Sequence, residues 1–349
     1  MGFFYPCVDE GRCINCRTCD AVCPVLQPVS LRGSTTPHGY AAVVQDNDIR
    51  QESSSGGVFT VLARYIIRQG GVVFGAAFAP NFRTVCHISV ETEIELKKLR
   101  GSKYVQSEIG NTYSEAEELL RQGRKVLFTG TPCQIIGLKK YLTIKYDNLY
   151  LLTVACHGVP SPAVWSKYLN YLESRYKGRI ACVSFRDKGK GWRNYRFVVC
   201  FSDGRYYAKK YSDDLYMRGF LRNCYLRPAC YTCKAKNFNG CWDIMLADLW
   251  GVESICPAFN DDKGTSLVIT STGRGEKLLG EVESEMNIIG VDLQKAISLN
   301  PAIQFAAKGT LLKELFISEF DQRPIMVLLN KYCRDSLFKE FKRWIKNIV

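Results

Sequence analysis

The chain has 349 residues, 46% hydrophobic and 23% charged, with a net charge of +13. A length and balance of this kind belong to a globular protein with a sizeable core, in one large domain or two modest ones. No run of 18 apolar residues exists, which argues against a membrane span, and the N-terminus lacks the apolar stretch of a signal peptide, so the expected compartment is the cytoplasm. In that reducing setting clustered cysteines read as metal ligands rather than disulfides. The excess of positive charge suits an acidic protein partner or a phosphate-bearing cofactor. No finger, homeodomain or RNP-type pattern is present, so nucleic acid is not expected as a partner.

Four of the sixteen cysteines lie in CINCRTCDAVCP, residues 13 to 24. Cys13, Cys16, Cys19 and Cys23 fit the run C-x2-C-x2-C-x3-C-P that holds a 4Fe-4S cluster. A structural zinc site more often uses two separated pairs. In two-cluster ferredoxins the fourth cysteine of each run serves the other cluster, yet residues 24 to 85 contain no cysteine. The opening MGFFYPCVDEGRC resembles the strand between the two motifs of such a domain, so the segment is similar to its second half alone. The expected outer cluster is therefore held by three motif cysteines and completed by Cys23 or Cys7.

From residue 52 helices and strands alternate. ESSSGGVFTVLARYIIRQGG predicts a serine- and glycine-rich helix start, a helix with Val58, Leu62, Tyr65 and Ile66 on one face, and a glycine stop. VVFGAAF, KVLFTG and NLYLLTVAC predict buried strands, and AVWSKYLNYLESRYK a long amphipathic helix. NYRFVVCFSDGRYYAKKY alternates around Asp203-Gly204 and predicts a β-hairpin. SLVITST predicts a late strand, followed mostly by helix. The expected class is α/β, with a mixed, mainly parallel sheet, a β-hairpin insertion and a small ferredoxin-like segment in front. The expected division is 1–35, 50–310 and a helical extension over 311–349.

Several stretches carry more than packing. SSSGG at 53 to 57 sits at a helix start, where amides and hydroxyls receive a phosphate or simply cap the helix. RGSKYVQS gathers Arg100, Ser102, Lys103 and Gln106 in a polar loop suited to a dinucleotide or flavin phosphate. In GTPCQ, Cys133 follows a strand and opens a helix, a place where the helix dipole favours a thiolate. In CHGVPSP, Cys156 and His157 stand at the carboxyl end of a strand, the edge where α/β sheets collect ligands. Cys224, Cys230, Cys233 and Cys241 form a further group, read as iron–sulfur or as a zinc ribbon.

SSSGGVFT, GGVVFGAAF, RGSKYVQS, FTGTPCQIIGLKKYL, CHGVPSP, LRPACYTCK and DIMLADLWG together resemble the coenzyme F420 hydrogenase/dehydrogenase beta-subunit family, from about residue 3 to 310. They are most similar to its bacterial branch, in which a ferredoxin segment precedes a flavoprotein body. The resemblance implies FAD lined by Ser54, Ser55, Gly56, Gly57, Ser102, Lys103 and Tyr104. It implies an inner 4Fe-4S cluster on Cys133, Cys156, Cys230 and Cys233, with Cys224 and Cys241 as local alternatives. His157 and Asp248 are candidate proton donors near the flavin. The implied activity is electron transfer between clusters and flavin to an organic substrate, with surface-polysaccharide biosynthesis as a setting. The alternative is an electron-transfer subunit that docks a ferredoxin- or flavodoxin-like carrier. FKEFKRWIKNIV, residues 338 to 349, predicts an amphipathic helix that packs on the core, with at most peripheral membrane contact.

Overall fold

The computed structural model describes residues 1–23, 26, 36–236 and 242–334. The amphipathic stretch 338 to 349 and Cys241 lie outside the described residues. The strands in chain order are β1 (His38–Val44), β2 (Val72–Phe78), β3 (Val85–Val90), β4 (Ser107–Glu108), β5 (Val126–Gly130) and β6 (Leu149–Val154). They continue with β7 (Ile180–Asp187), β8 (Arg196–Phe201), β9 (Tyr206–Lys210), β10 (Ile244–Asp248), β11 (Ser266–Thr270) and β12 (Met286–Gly290). Nine of them form one sheet in the order β12-β1-β11-β10-β6-β5-β2-β3-β4.

The expected mixed α/β sheet is present, but parallel pairing does not predominate. The run β10-β6-β5-β2 and the short pair β3–β4 are parallel. The pairs β2–β3, β10–β11, β11–β1 and β1–β12 are antiparallel. Parallel neighbours need a crossover, usually a helix. The Pro132–Tyr141 helix supplies one between β5 and β6. Between β10 and β11 lie only the four-residue Val252–Ile255 helix, a short 3-10 turn and loop, and β11 returns antiparallel.

Apolar strands with no polar alternation belong to a sheet covered on both faces. Along β2, β5 and β6, successive residues point to opposite sides. Phe74, Phe128 and Leu151 join one core, while Val73, Leu127 and Leu152 join another. The Val58–Arg68 helix buries Val58, Val61, Leu62 and Ile66 in the second. Phe74 and Phe128 stack at 5.4 Å between ring centroids on the first face.

The hairpin around Asp203-Gly204 is β8–β9, and β7 extends it to a three-stranded antiparallel sheet. This small sheet shares a third core with the Pro162–Tyr176, Leu215–Leu221 and Ile325–Cys333 helices. Cys182 and Cys200 face each other across β7 and β8 as a disulfide, outside the cysteine groups read as metal ligands. Among the described residues no helix is long and apolar enough to cross a membrane.

β1 lies inside the large sheet although it precedes residue 50. It carries the loop that becomes important below: Gly56 accepts from the Val44 amide at 2.9 Å and donates its own N–H to Ser266 Oγ at 3.0 Å. A Cβ there would stand 2.4 Å from the Ala42 carbonyl oxygen and 2.8 Å from the Ser266 nitrogen. Both are backbone atoms and cannot yield. Gly56→Ala is expected to lower stability by about 1–3 kcal/mol, the usual cost of overpacking, measured as an earlier denaturant midpoint with an unchanged slope.

Candidate functional site

The carboxyl ends of β5, β6 and β10 open onto a cleft of about 450 Å³. Its wall includes Thr129 and Gly130 at the end of β5, Ala155, Cys156 and His157 after β6, and Asp248 at the end of β10. The crevice at the strand ends of an α/β sheet is where such folds take ligands.

Two loops far apart in sequence close one side of it. Ser54 Oγ lies 2.9 Å from Ser102 Oγ and accepts the Ser102 amide at 2.8 Å. Ser54, Ser55, Gly57, Arg100, Ser102, Lys103 and Tyr104 all line the cleft. Two other expected cofactor residues do not. Gly56 is packed between β1 and β11, and Gln106 turns to the N-terminus, where its Oε1 accepts the Phe4 amide at 3.0 Å. The serines do not cap the Val58–Arg68 helix: its N-cap is Gly57, in the left-handed region, with no side-chain bond. Ser53 Oγ donates instead to the Ile49 carbonyl at 2.7 Å and Ser55 Oγ to that of Thr265 at 2.9 Å. The helix start is left open on the cleft side, where Gly57, Val58 and Phe59 line the wall.

The serine loop is held from behind by buried charge. Arg50 bonds bidentately to Asp261 at 2.7 Å and to the Gly264 carbonyl. Lys188 Nζ donates to the carbonyls of Ser55, Lys263 and Arg50. Burial pushes the Lys188 pKa down to about 7, helped by Arg50 and Arg186.

Of the four body cysteines expected as ligands, Cys156 lines the cleft and Cys133, Cys230 and Cys233 lie near enough to act on its thiol, although among the described residues no three such side chains gather as ligands of one ion. Cys133 opens the Pro132–Tyr141 helix with its side chain exposed, and its Sγ lies 3.2 Å from Thr131 Oγ1. Burial raises Cys156 and Cys230, and neighbouring thiols add to the rise: Cys133, Cys230 and Cys233 act on Cys156, and Cys133 and Cys233 on Cys230. The Val159 amide donates to Cys230 Sγ at 3.4 Å, and the Arg227 charge opposes the rise at Cys230.

The local alternative loses one member. Cys224 is fully buried in the third core, where its thiol hydrogen-bonds Cys333 rather than facing Cys230 or Cys233. Cys13, Cys16 and Cys19 are exposed and Cys23 is half-buried. Their bonds are local, such as Thr18 Oγ1 to Cys16 Sγ at 3.3 Å, and among the described residues they do not converge as ligands of one ion. The Thr18–Val22 helix beside them nonetheless touches the helix that Cys133 opens. The first residues are stitched to the body: the Met1 carbonyl accepts from Ser161 Oγ at 2.5 Å, and Tyr5 stacks on the Arg227 guanidinium at 4.8 Å.

Both candidate proton donors stand on the cleft wall. His157 Nε2 is 2.6 Å from Asn223 Oδ1, and burial lowers its pKa. Asp248 is tied to Arg186 Nη1 at 2.5 Å, so its geometry suits fixing that guanidinium better than donating a proton. Sequence reasoning does not single out Arg186, Lys188, Trp192, Tyr195 or His87. His87 also lines the cleft, bonded to Ser107 at 2.7 Å and to the Thr129 carbonyl at 3.0 Å. Burial lowers its pKa to about 4. The signal for the others is FRDKGKGWRNY, where cations and aromatics alternate just before the hairpin.

An α/β cleft at parallel strand ends, walled by a serine loop, marks a ligand-binding class of protein. Two family models match the chain. The one for the N-terminal part of the coenzyme F420 hydrogenase/dehydrogenase beta subunit matches residues 39–112, and the one for its C-terminal part matches residues 123–295. The chain belongs to the coenzyme F420 hydrogenase/dehydrogenase beta-subunit family. A coenzyme F420-dependent sulfite reductase of Methanocaldococcus jannaschii is 23% identical over 321 residues, 82% of this chain and 48% of that protein. The chain thus spans about half the length of that curated relative. A chain of the F420-reducing [NiFe] hydrogenase complex from Methanosarcina barkeri shares the fold, with a TM-score of 0.51 and 18% identity over 85% of this chain and 91% of that one.

Lys188→Met is expected to loosen the serine loop. It leaves three carbonyls without their donor, at a cost on the order of 3 kcal/mol. Because burial lowers the pKa of Lys188 from 10.5 to about 7, the unfolded chain binds more protons between those values, and stability rises with pH across that window. Denaturant midpoints taken from neutral to alkaline pH should show this rise in the wild type and a smaller one in the variant.

Proposed function

We propose that the chain is an iron–sulfur flavoprotein oxidoreductase that moves electrons between cysteine-held 4Fe-4S clusters and a flavin, FAD, in the cleft, to or from an organic substrate. The observation that carries this reading is the closeness of Cys133, Cys230 and Cys233 to Cys156 on the wall of the cleft that Ser54, Ser102 and Lys103 line. The donor set fits an iron–sulfur group. It consists of four thiols, of which Cys156 and Cys230 are pushed up by burial and by their thiol neighbours, and a cationic metal centre reverses that balance by taking them as thiolates.

The cleft fits a flavin in kind. The open start of the Val58–Arg68 helix and the Ser54 and Ser102 hydroxyls suit a phosphate, and Tyr104 and Phe220, stacked at 4.6 Å, offer an aromatic wall. When bound, a flavin supplies the exchange between single electrons and electron pairs. The chain positions it, shuts out water behind Tyr104, Phe220 and Trp250, and keeps the His157 ring fixed through Asn223. The outer cysteines, Cys13, Cys16, Cys19 and Cys23, would hold the cluster that meets a ferredoxin- or flavodoxin-like donor. The net charge of +13 favours such an acidic partner, and it equally supports the second reading, an electron-transfer subunit without a substrate of its own.

The test separates the two thiol groups. Replacing Cys13, Cys16, Cys19 and Cys23 together by Ala keeps residues 1 to 5 docked and should leave about four irons per chain, the content of one cluster. Cys230→Ser in that background should remove them. Iron lost with the first set alone would refute the inner site. Denaturing anaerobically purified protein should release FAD, identified by mass; release of a deazaflavin would give the cleft to the coenzyme named in its relatives. Reduction of no small molecule by the isolated chain, with electrons still passing to a ferredoxin, would favour the second reading.

A further inference from the structure

Arg186, near the end of β7, is a cleft-wall cation with donors left over after its ion pair. Its side chain is only 7% exposed, yet it lies on the cleft wall. Nη1 is committed to Asp248 at 2.5 Å. Nε and Nη2 are shut off from bulk water and have no hydrogen-bond partner among the described residues. The guanidinium is flanked by the Tyr195 ring at 4.6 Å and the Trp192 ring at 5.8 Å. Trp192 in turn stacks on Trp250, another wall residue, at 4.6 Å. Burial works against the Arg186 charge, and Asp248 with Tyr104 and Tyr195 more than restores it, so the group stays cationic.

Nε and Nη2 lie on one edge of the guanidinium and present two parallel N–H groups, the fork that pairs with two oxygens of a planar oxyanion. Buried donors without acceptors are destabilising, and few are tolerated in a native protein unless a ligand or water completes them. The geometry points to the Arg186 fork as the subsite for a carboxylate on the organic substrate, clamped beside aromatic rings. A carboxylate fits better than a phosphate. It is planar like the flanking rings, and it adds only one negative charge where Asp248 already offsets that of the guanidinium. The phosphate-type features lie elsewhere, at the Ser54–Ser102 loops. Asp248 is then a positioning residue that aims the fork.

The inference rests on the cleft being the site of organic redox chemistry, but its test needs no electron flow, so the two fail separately. Benzoate and benzamide serve as probes, titrated by calorimetry into the full chain as purified. The acid should bind about tenfold or more tighter than the amide, the margin of a good charged bidentate pair. Arg186→Gln should abolish that preference. Arg186→Lys keeps a cation opposite Asp248 but lacks the fork. It should reduce the preference sharply while near-UV dichroism stays native, which covers the case in which Arg186→Gln does not fold. Equal binding of acid and amide, or a preference that survives in Arg186→Lys, would overturn the assignment. Benzoate displaced by added FAD would also overturn it, giving the fork to the cofactor.

Discussion

The parallel register of β5, β6 and β10 is the constraint on which the rest depends. Gly130 pairs with Thr153, and Val154 with Leu246, so three strands end at nearly the same level. Each then releases its chain at one edge: β5 into Thr131 and Cys133, β6 into Cys156 and His157, β10 into Asp248. None of these residues attracts the others enough to gather them. Burial and neighbouring thiols push Cys156 and Cys230 up, and bringing such thiols together is unfavourable without a metal. The apolar cores on both faces of the sheet supply the driving force. The site is a consequence of strand pairing imposed on groups that would otherwise keep apart.

A second layer of constraint fixes the opposite wall. A glycine- and serine-rich loop has high conformational freedom and loses much of it on ordering. Here the loss is offset from behind, by Arg50 on Asp261 and Gly264 and by Lys188 on three carbonyls. These cations satisfy backbone acceptors and leave the serine hydroxyls of Ser54 and Ser102 to each other on the cleft side. A loop held only by its own side chains would have used those hydroxyls up. The division of labour explains why charged residues at 50 and 188, distant in sequence, matter to a loop at 53 to 57.

This also separates what is legible in the sequence from what is not. β2, β5, β6 and β11 are legible because doubly covered strands read as unbroken apolar runs, and the β8–β9 turn because Asp203-Gly204 is a hairpin signal. β1, HGYAAVV, escapes because a short run after a proline-containing stretch has little local signature, and only its partners β11 and β12 define it. The grouping of Cys133, Cys156 and the Cys230–Cys233 pair comes from the family resemblance alone, since no spacing rule links them. Gln106 is misplaced because a polar residue in a ligand-type loop looks the same whether it faces the cleft or the N-terminus. Arg186 escapes for a related reason: one cation in FRDKGKGWRNY carries no mark that its partner will be an aspartate 62 residues away.

The N-terminal segment shows how a short cysteine-rich stretch can be held without a core of its own. Five-residue helices such as Thr18–Val22 are marginal in isolation, and this one buries no residue. The body supplies the packing surface instead. Gln106 pairs with the Phe4 backbone in both directions, at 3.0 and 3.4 Å, Ser161 holds the Met1 carbonyl, and Arg227 stacks on Tyr5. Arg227 also faces the inner thiols, and its own backbone accepts the Cys230 amide at 2.8 Å. On the proposed reading, the same side chain that anchors the outer segment lies against the inner cluster. The segment is thus fixed to the body before its first cysteine is reached, and it meets the body again where the Thr18–Val22 helix touches the helix that Cys133 opens.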